Sequence, residues 1–267
     1  MNLYHYTTVD SFVRIWVSQS LKFSEVKLQN DIFERAKIIS LKGYVNDDEV
    51  SNVKDLLSKL TEKVFNQLQK FKQISFSIDS KDRLGAFSPM MWGQYAKNER
   101  GVCIEFDSAK LLKSNKIYWK EIEYLKAIPV NSIVFNGLVD DESINNLILT
   151  NKDLFFFTKY MDWEHENEFR VISNELDFLP ITDAITKVYV YSSKGIGTDI
   201  VLKLLEGYNI SVEFIELKCS KGFVEMNSSD LLSYRNKENR INNNPKSFTD
   251  EKVLKEKYEY IKKTFNI

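Results

Sequence analysis

The chain has 267 residues, 43% of them apolar and 28% charged, which is ordinary globular composition at a length that can bury a sizeable core. Lys plus Arg (37) nearly cancels Asp plus Glu (38), and a net charge of −1 excludes a molecule-wide field for nucleic acid or an anionic membrane. No run reaches the ~18 apolar residues of a membrane span, the first residues lack signal-peptide character, and two isolated cysteines with two histidines suit neither a disulfide framework nor a zinc site.

The expectations from these numbers are no membrane, no metal and a cytoplasmic location. Nine glycines and four prolines favour longer helices and strands over a turn-rich sandwich, and the elements mix into an α+β fold.

Residues 3–7 alternate around aromatic positions and predict a first strand. Thr8 or Asp10 then caps a helix carrying Phe12, Val13, Ile15, Trp16 and Val17. Residues 21–24 are a brief extended piece, and Asn30-Asp31 open another helix. From Asp47 to Phe71, apolar residues recur three and four apart, the spacing of a docked amphipathic helix. Residues 73–78 alternate as a strand. Ser88-Pro89 starts a helix through Trp92 and Tyr95, since serine caps and proline fits the first turn.

Strands are predicted at 101–106, 117–125, 166–172, 187–191 and 210–217. Helices are predicted over 139–160 and 198–205. The organisation expected is one domain over 1–227, a polar linker over 228–248, and a C-terminal amphipathic helix over 249–267 that could dock on the body or on a protein partner.

Glu166-Asn167-Glu168-Phe169-Arg170 is the segment richest in chemistry. On a strand, Glu166, Glu168 and Arg170 share one face. The pattern fits a solvated face with a local ion pair, or a catalytic pair of carboxylates of the kind that stabilises cationic sugar transition states. His5 and Thr7 also share a strand face and can both hydrogen-bond a ribose or an amide, or else belong to the core. Trp92 and Tyr95, three apart on a helix, meet either in the core or as a surface on which a planar ring stacks. Ser193 to Gly197 lacks the glycine and lysine spacings of phosphate-binding loops and reads as a plain connection. No serine, cysteine or two-histidine hydrolytic arrangement is present.

In order along the chain, Leu3-Tyr4-His5-Tyr6-Thr7, Asn30-Asp31-Ile32-Phe33-Glu34, Ile74-Ser75-Phe76-Ser77, Met91-Trp92-Gly93-Gln94-Tyr95-Ala96, Gly101-Val102-Cys103-Ile104-Glu105-Phe106 and Trp163-Glu164-His165-Glu166-Asn167-Glu168-Phe169-Arg170 resemble a bacterial family known as domain of unknown function 2971. The resemblance spans about residues 3–195 and departs at Ile32, where that family usually has proline. The same residues resemble, more distantly, the ADP-ribosyltransferase superfamily, with Ser20 standing where a glycine is common.

That second resemblance implies mixed or antiparallel sheets forming a central cleft with flanking helices. It implies an enzyme that uses NAD as substrate, an ADP-ribosyltransferase or NAD glycohydrolase, in the role of a toxin or phage-defence effector. Glu168, or else Glu166, becomes the essential carboxylate and His5 a ribose-binding catalytic residue. Tyr6, Thr7, Trp92, Tyr95 and Arg170 join it around the cofactor, with Tyr95 the stacking candidate and Arg170 also the counter-charge. The acceptor stays open between protein, nucleic acid, small molecule and water. Two alternatives stand beside it: a non-catalytic nucleotide-binding or protein-interaction module, and a Mg²⁺ nuclease using Asp162, Glu166 and Glu168, against which the missing basic bias counts.

Overall fold

The computed structural model describes residues 1–26, 39–42, 50–96, 101–127, 131–134, 140–192, 195–220 and 223–233. The helix expected at Asn30-Asp31, residues 193–194, the linker from 234 onward, the C-terminal helix and the side chain of Cys219 lie outside the described residues.

In chain order the strands begin with β1 (Asn2–Thr8), β2 (Ser20–Lys22), β3 (Ser24–Glu25), β4 (Ile39–Lys42) and β5 (Lys72–Ser77). The middle of the chain supplies β6 (Gly101–Asp107), β7 (Tyr118–Glu121), β8 (Glu123–Leu125), β9 (Asn131–Val134) and β10 (Thr158–Tyr160). The last part adds β11 (Glu168–Ser173), β12 (Phe178–Pro180), β13 (Ile185–Val190), β14 (Ser211–Ser220) and β15 (Phe223–Asp230). The chain divides into two compact units. The first comprises Met1–Leu21, Phe76–Lys113 and Leu179 onward, and the second Lys22–Ser75 with Ser114–Phe178.

In the first unit β1 lies antiparallel to β6, with His5 opposite Ile104 and Tyr6 opposite Cys103. The order continues through β13 and β14 to β15. β13 and β14 are parallel, and the other neighbours on this path are antiparallel. The parallel step is possible because the helix Ile196–Leu205 crosses over between its strands. Alternation along β1 sends Tyr4 and Tyr6 to one face, where they pack with Ala86, Met91, Trp92, Cys103, Tyr189 and Ile215. Thr8 ends the strand and caps the helix Val9–Ser18 by accepting from the Ser11 amide, and Phe12, Val13 and Ile15 are that helix's buried stripe.

The polar linker was expected from residue 228, but β15 runs to Asp230. Its Asn227-Ser228-Ser229 backbone is paired with Phe214–Glu216 on β14, and the Ser228 hydroxyl donates to Glu213. Polar side chains on an edge strand had the composition of a linker.

In the second unit the helix Val50–Leu68 buries Leu60, Val64 and Leu68 against Phe71, Ile122, Ile144, Ile148 and the run Phe155-Phe156-Phe157. The expected single helix over 139–160 is three elements: helices Asp141–Thr150 and Lys152–Phe156, then β10. Asn151 stops the first helix, its side-chain amide donating to the Leu147 carbonyl, and Thr158 opens the strand. The expected strand over 117–125 is also broken. The Ile122 amide donates to the Glu168 carbonyl, which separates β7, antiparallel to β11, from β8, parallel to β10.

The strand expected from Glu166 begins at Glu168 instead. Met161–Glu166 is a 3₁₀ helix, and Asn167 follows it in the left-handed region at φ 44°. Asparagine tolerates that conformation better than most residues, so a turn precedes the strand. Among the described residues, no helix is long and apolar enough to cross a membrane.

Candidate active site

Alternation along β11 places Glu168 and Arg170 on the same face, and Arg170 closes a fork on its neighbour. Nε donates to Glu168 Oε1 at 2.7 Å and Nη2 to Oε2 at 2.9 Å, while Nη1 donates to the Phe156 carbonyl at 2.7 Å. Lys159, from β10, donates to Glu166 Oε2 at 2.6 Å and to Glu168 Oε2 at 3.3 Å. Two carboxylates thus meet two cations, and all four side chains are buried: Arg170 is 0%, Glu168 3%, Glu166 4% and Lys159 5% exposed. Such burial is sustainable only because each charge is matched and hydrogen-bonded. The solvated strand face that the alternating pattern allowed is therefore excluded.

Two neutral hydroxyls complete the surroundings of Glu168. Ser75, an exposed residue of β5, donates to Oε1 at 2.6 Å, and the Glu168 amide donates to Tyr124 Oη at 2.9 Å. Burial by itself pushes the Glu168 carboxyl up. The charges of Arg170 and Lys159, with hydrogen bonds from Arg170 and Ser75, outweigh it and hold the group well below the usual carboxylate range. Glu168 is thus a fixed anion at neutral pH. Burial, with the nearby Glu168 and Glu166 charges, pushes the Tyr124 phenol up, so it stays neutral. Trp163 lies beneath the Lys159 ammonium, 4.7 Å from ring centroid to Nζ, and stacks on His165.

Sequence patterning found Glu166, Glu168 and Arg170 but placed Glu166 on the strand. Its carboxylate arrives instead from the 3₁₀ helix, by way of the turn at Asn167. Ser75, Tyr124 and Lys159 were missed. Ser75 sits in an ordinary alternating strand, and Lys159 is a lone cation between aromatic residues, which is the one signal that could have marked it as buried.

The other expected residues belong to the first unit. His5 is half-buried with its ring against Phe76, centroids 5.7 Å apart, and Thr7 lies on the same strand face. Tyr6 faces the opposite way. It is 6% exposed, and its hydroxyl donates to the Gly85 carbonyl at 2.5 Å while accepting from the Ser88 amide at 3.3 Å. Trp92 is 1% exposed, donates Nε1–H to the Ala86 carbonyl, and meets Tyr6 and Tyr191 edge-on. Tyr6 and Trp92 are thus core residues. Tyr95 is partly buried beside that cluster. A further carboxylate, Glu105 on β6, accepts from Thr186 Oγ1 and Tyr189 Oη at 2.7 and 2.9 Å.

Among the described residues, no group of three or more His, Cys, Asp or Glu side chains is arranged to hold a metal ion. No curated protein matches the chain. Structural comparison finds DarT of Thermus sp. 2.9 in complex with NAD+, at a TM-score of 0.35 and 12% identity over 79% of this chain and 94% of that one. It also finds that protein in complex with ADP-ribosylated ssDNA, at 0.33 and 12% over 78% of this chain and 88% of that one. Thermosipho africanus DarTG in complex with ADP-ribose follows, at 0.36 and 14% over 79% of this chain and 49% of that one. Residues 91–171, which hold Trp92, Tyr95, Glu166, Glu168 and Arg170, match the model of a family described as protein of unknown function DUF2971.

Proposed function

We propose that the chain is an NAD-dependent ADP-ribosyltransferase-like enzyme, or an NAD glycohydrolase, with Glu168 as its essential carboxylate. The observation that carries this reading is a forked carboxylate, ionised at neutral pH, in contact with an exposed serine, Ser75. Cleavage of the bond between nicotinamide and ribose develops positive charge on the sugar. A carboxylate that stays negative and does not reorient stabilises that charge more in the transition state than in the substrate. Nicotinamide is a competent leaving group, so no nucleophilic side chain is needed. Arg170 is the counter-charge and orienting group, and Glu166 the second carboxylate.

The test is depletion of NAD, or transfer of label from it to protein, single-stranded DNA, a small molecule or water. Activity is expected in the wild type and lost in Glu168→Ala; retention in a folded Glu168→Ala overturns the assignment to Glu168, and retention in both Glu168→Ala and Glu166→Ala overturns the site. A second reading, a non-catalytic nucleotide-binding or protein-interaction module, draws on the same fork: an Arg170 that saturates both Glu168 oxygens is also what a structural ion pair looks like. It predicts NAD binding without consumption, or no NAD binding at all. A toxin or defence role predicts that expression arrests a bacterial host and that Glu168→Ala relieves the arrest.

A further inference from the structure

We propose that Lys159 is the positioning residue of the carboxylate pair, locking Glu166 against Glu168 in a single geometry. The inference rests on the reading of Glu168 as the essential carboxylate. Arg170 already engages both oxygens of Glu168, at 2.7 and 2.9 Å, so Glu168 has its counter-charge from its own strand. Lys159 serves the other carboxylate. Its shorter contact, 2.6 Å, is to Glu166, and its longer one, 3.3 Å, ties that pair back to Glu168.

The small parallel sheet explains how the lysine is aimed. β8 and β10 pair with Lys159 opposite Tyr124, and registered neighbours project to the same face. Lys159 thus reaches the two carboxylates while Tyr124 accepts the Glu168 amide at 2.9 Å. Glu166 comes to the same ammonium not by strand alternation but through the left-handed turn at Asn167, and the Trp163 ring covers the ammonium from another side. Among the described residues, the groups facing the pair include Arg170 on β11, Lys159 on β10, Tyr124 on β8, Ser75 on β5 and Trp163 in the 3₁₀ helix. With the ammonium gone, two buried carboxylates lose the cation they share. Like charges in that position take up a proton between them at a higher pH than either would alone.

The experiment compares the pH dependence of NAD turnover, and in parallel of thermal unfolding, in the wild type, Lys159→Met, Lys159→Arg and Tyr124→Phe. In Lys159→Met the acid limb of kcat should move up by about one pH unit or more, with kcat near neutrality falling roughly tenfold and KM changing less. Lys159→Arg should move the limb back toward the wild-type position, and Tyr124→Phe, which leaves the charge inventory intact, should not move it. An acid limb in the same place in Lys159→Met as in the wild type overturns the proposal. If Lys159→Met fails to fold, the double variant Lys159→Met/Glu166→Met removes the pair together and leaves Glu168 with Arg170. A wild-type acid limb in that variant supports the proposal, and a raised one overturns it. A wild type that does not consume NAD defeats the enzymatic reading instead. The positioning claim is then decided by unfolding, where the acid loss of stability begins at higher pH in Lys159→Met if the claim holds and at the same pH if it does not.

Discussion

β1 and β11 both bury side chains on both faces, and they satisfy their polar groups by different chemistry. On β1 the buried polar groups are hydroxyls, and the Tyr6 hydroxyl bonds neutral backbone at Gly85 and Ser88. On β11 the buried polar groups are charges, Glu168 and Arg170, with Lys159 and Glu166 brought to them from the segment just before the strand. A neutral hydroxyl that is removed leaves one or two orphaned backbone groups. A buried charge whose partner is removed leaves an uncompensated ion, at several times the cost. β11 is therefore less tolerant of conservative change at its polar positions than β1.

The largest expected effect is Arg170→Leu. It takes the forked guanidinium away from the buried Glu168 carboxylate and should destabilise the fold by about 3–5 kcal/mol, read by urea denaturation. A loss under about 1 kcal/mol would mean the fork is ornamental and would erase the contrast with β1. The wild type also carries a pH signature. The Glu168 pKa is depressed in the folded state, so its contribution is fully present above the ordinary glutamate value of 4.5 and is lost as the pH falls through the folded value. Arg170→Leu should flatten that acid dependence, and the slope of stability against pH below neutrality measures it.

A smaller effect is expected at Gly85, against the β1 tyrosines. A Cβ there would stand 2.2 Å from Tyr4 Cδ2, so Gly85→Ala must displace the ring or the chain. A loss of about 1–3 kcal/mol is expected in the same denaturation experiment. Smaller still is Tyr6→Phe. It keeps the ring against Trp92 and removes the hydroxyl's two backbone hydrogen bonds, for about 1–2 kcal/mol, with no change in acid dependence.

The sequence made the apolar framework legible, because helices and strands with one buried face carry the period of that face. Thr8 and Ser88 marked helix starts, and the run from Leu60 to Leu68 identified a packed stripe. It was less informative at β11. Glu168-Phe169-Arg170-Val171 has the polar-apolar alternation of a half-exposed strand, yet all four are buried. Alternation reports which residues share a face and not what covers that face. What covers it comes from Lys159 and Tyr124, on short strands whose own sequence read as helix end and continuous strand. Asn167 shows the same limit on a single residue, since its left-handed turn converts a predicted strand face into a convergence of two carboxylates from different elements.

The central claim is that the buried anion at Glu168 does chemistry and is not only structural, and Glu168→Gln tests it most directly. The substitution keeps the shape and removes the charge. With variant and wild type compared under conditions where both are folded by circular dichroism, the rate of NAD consumption should fall by about 10²-fold or more. A Glu168→Gln protein that is folded and consumes NAD at the wild-type rate would contradict the account.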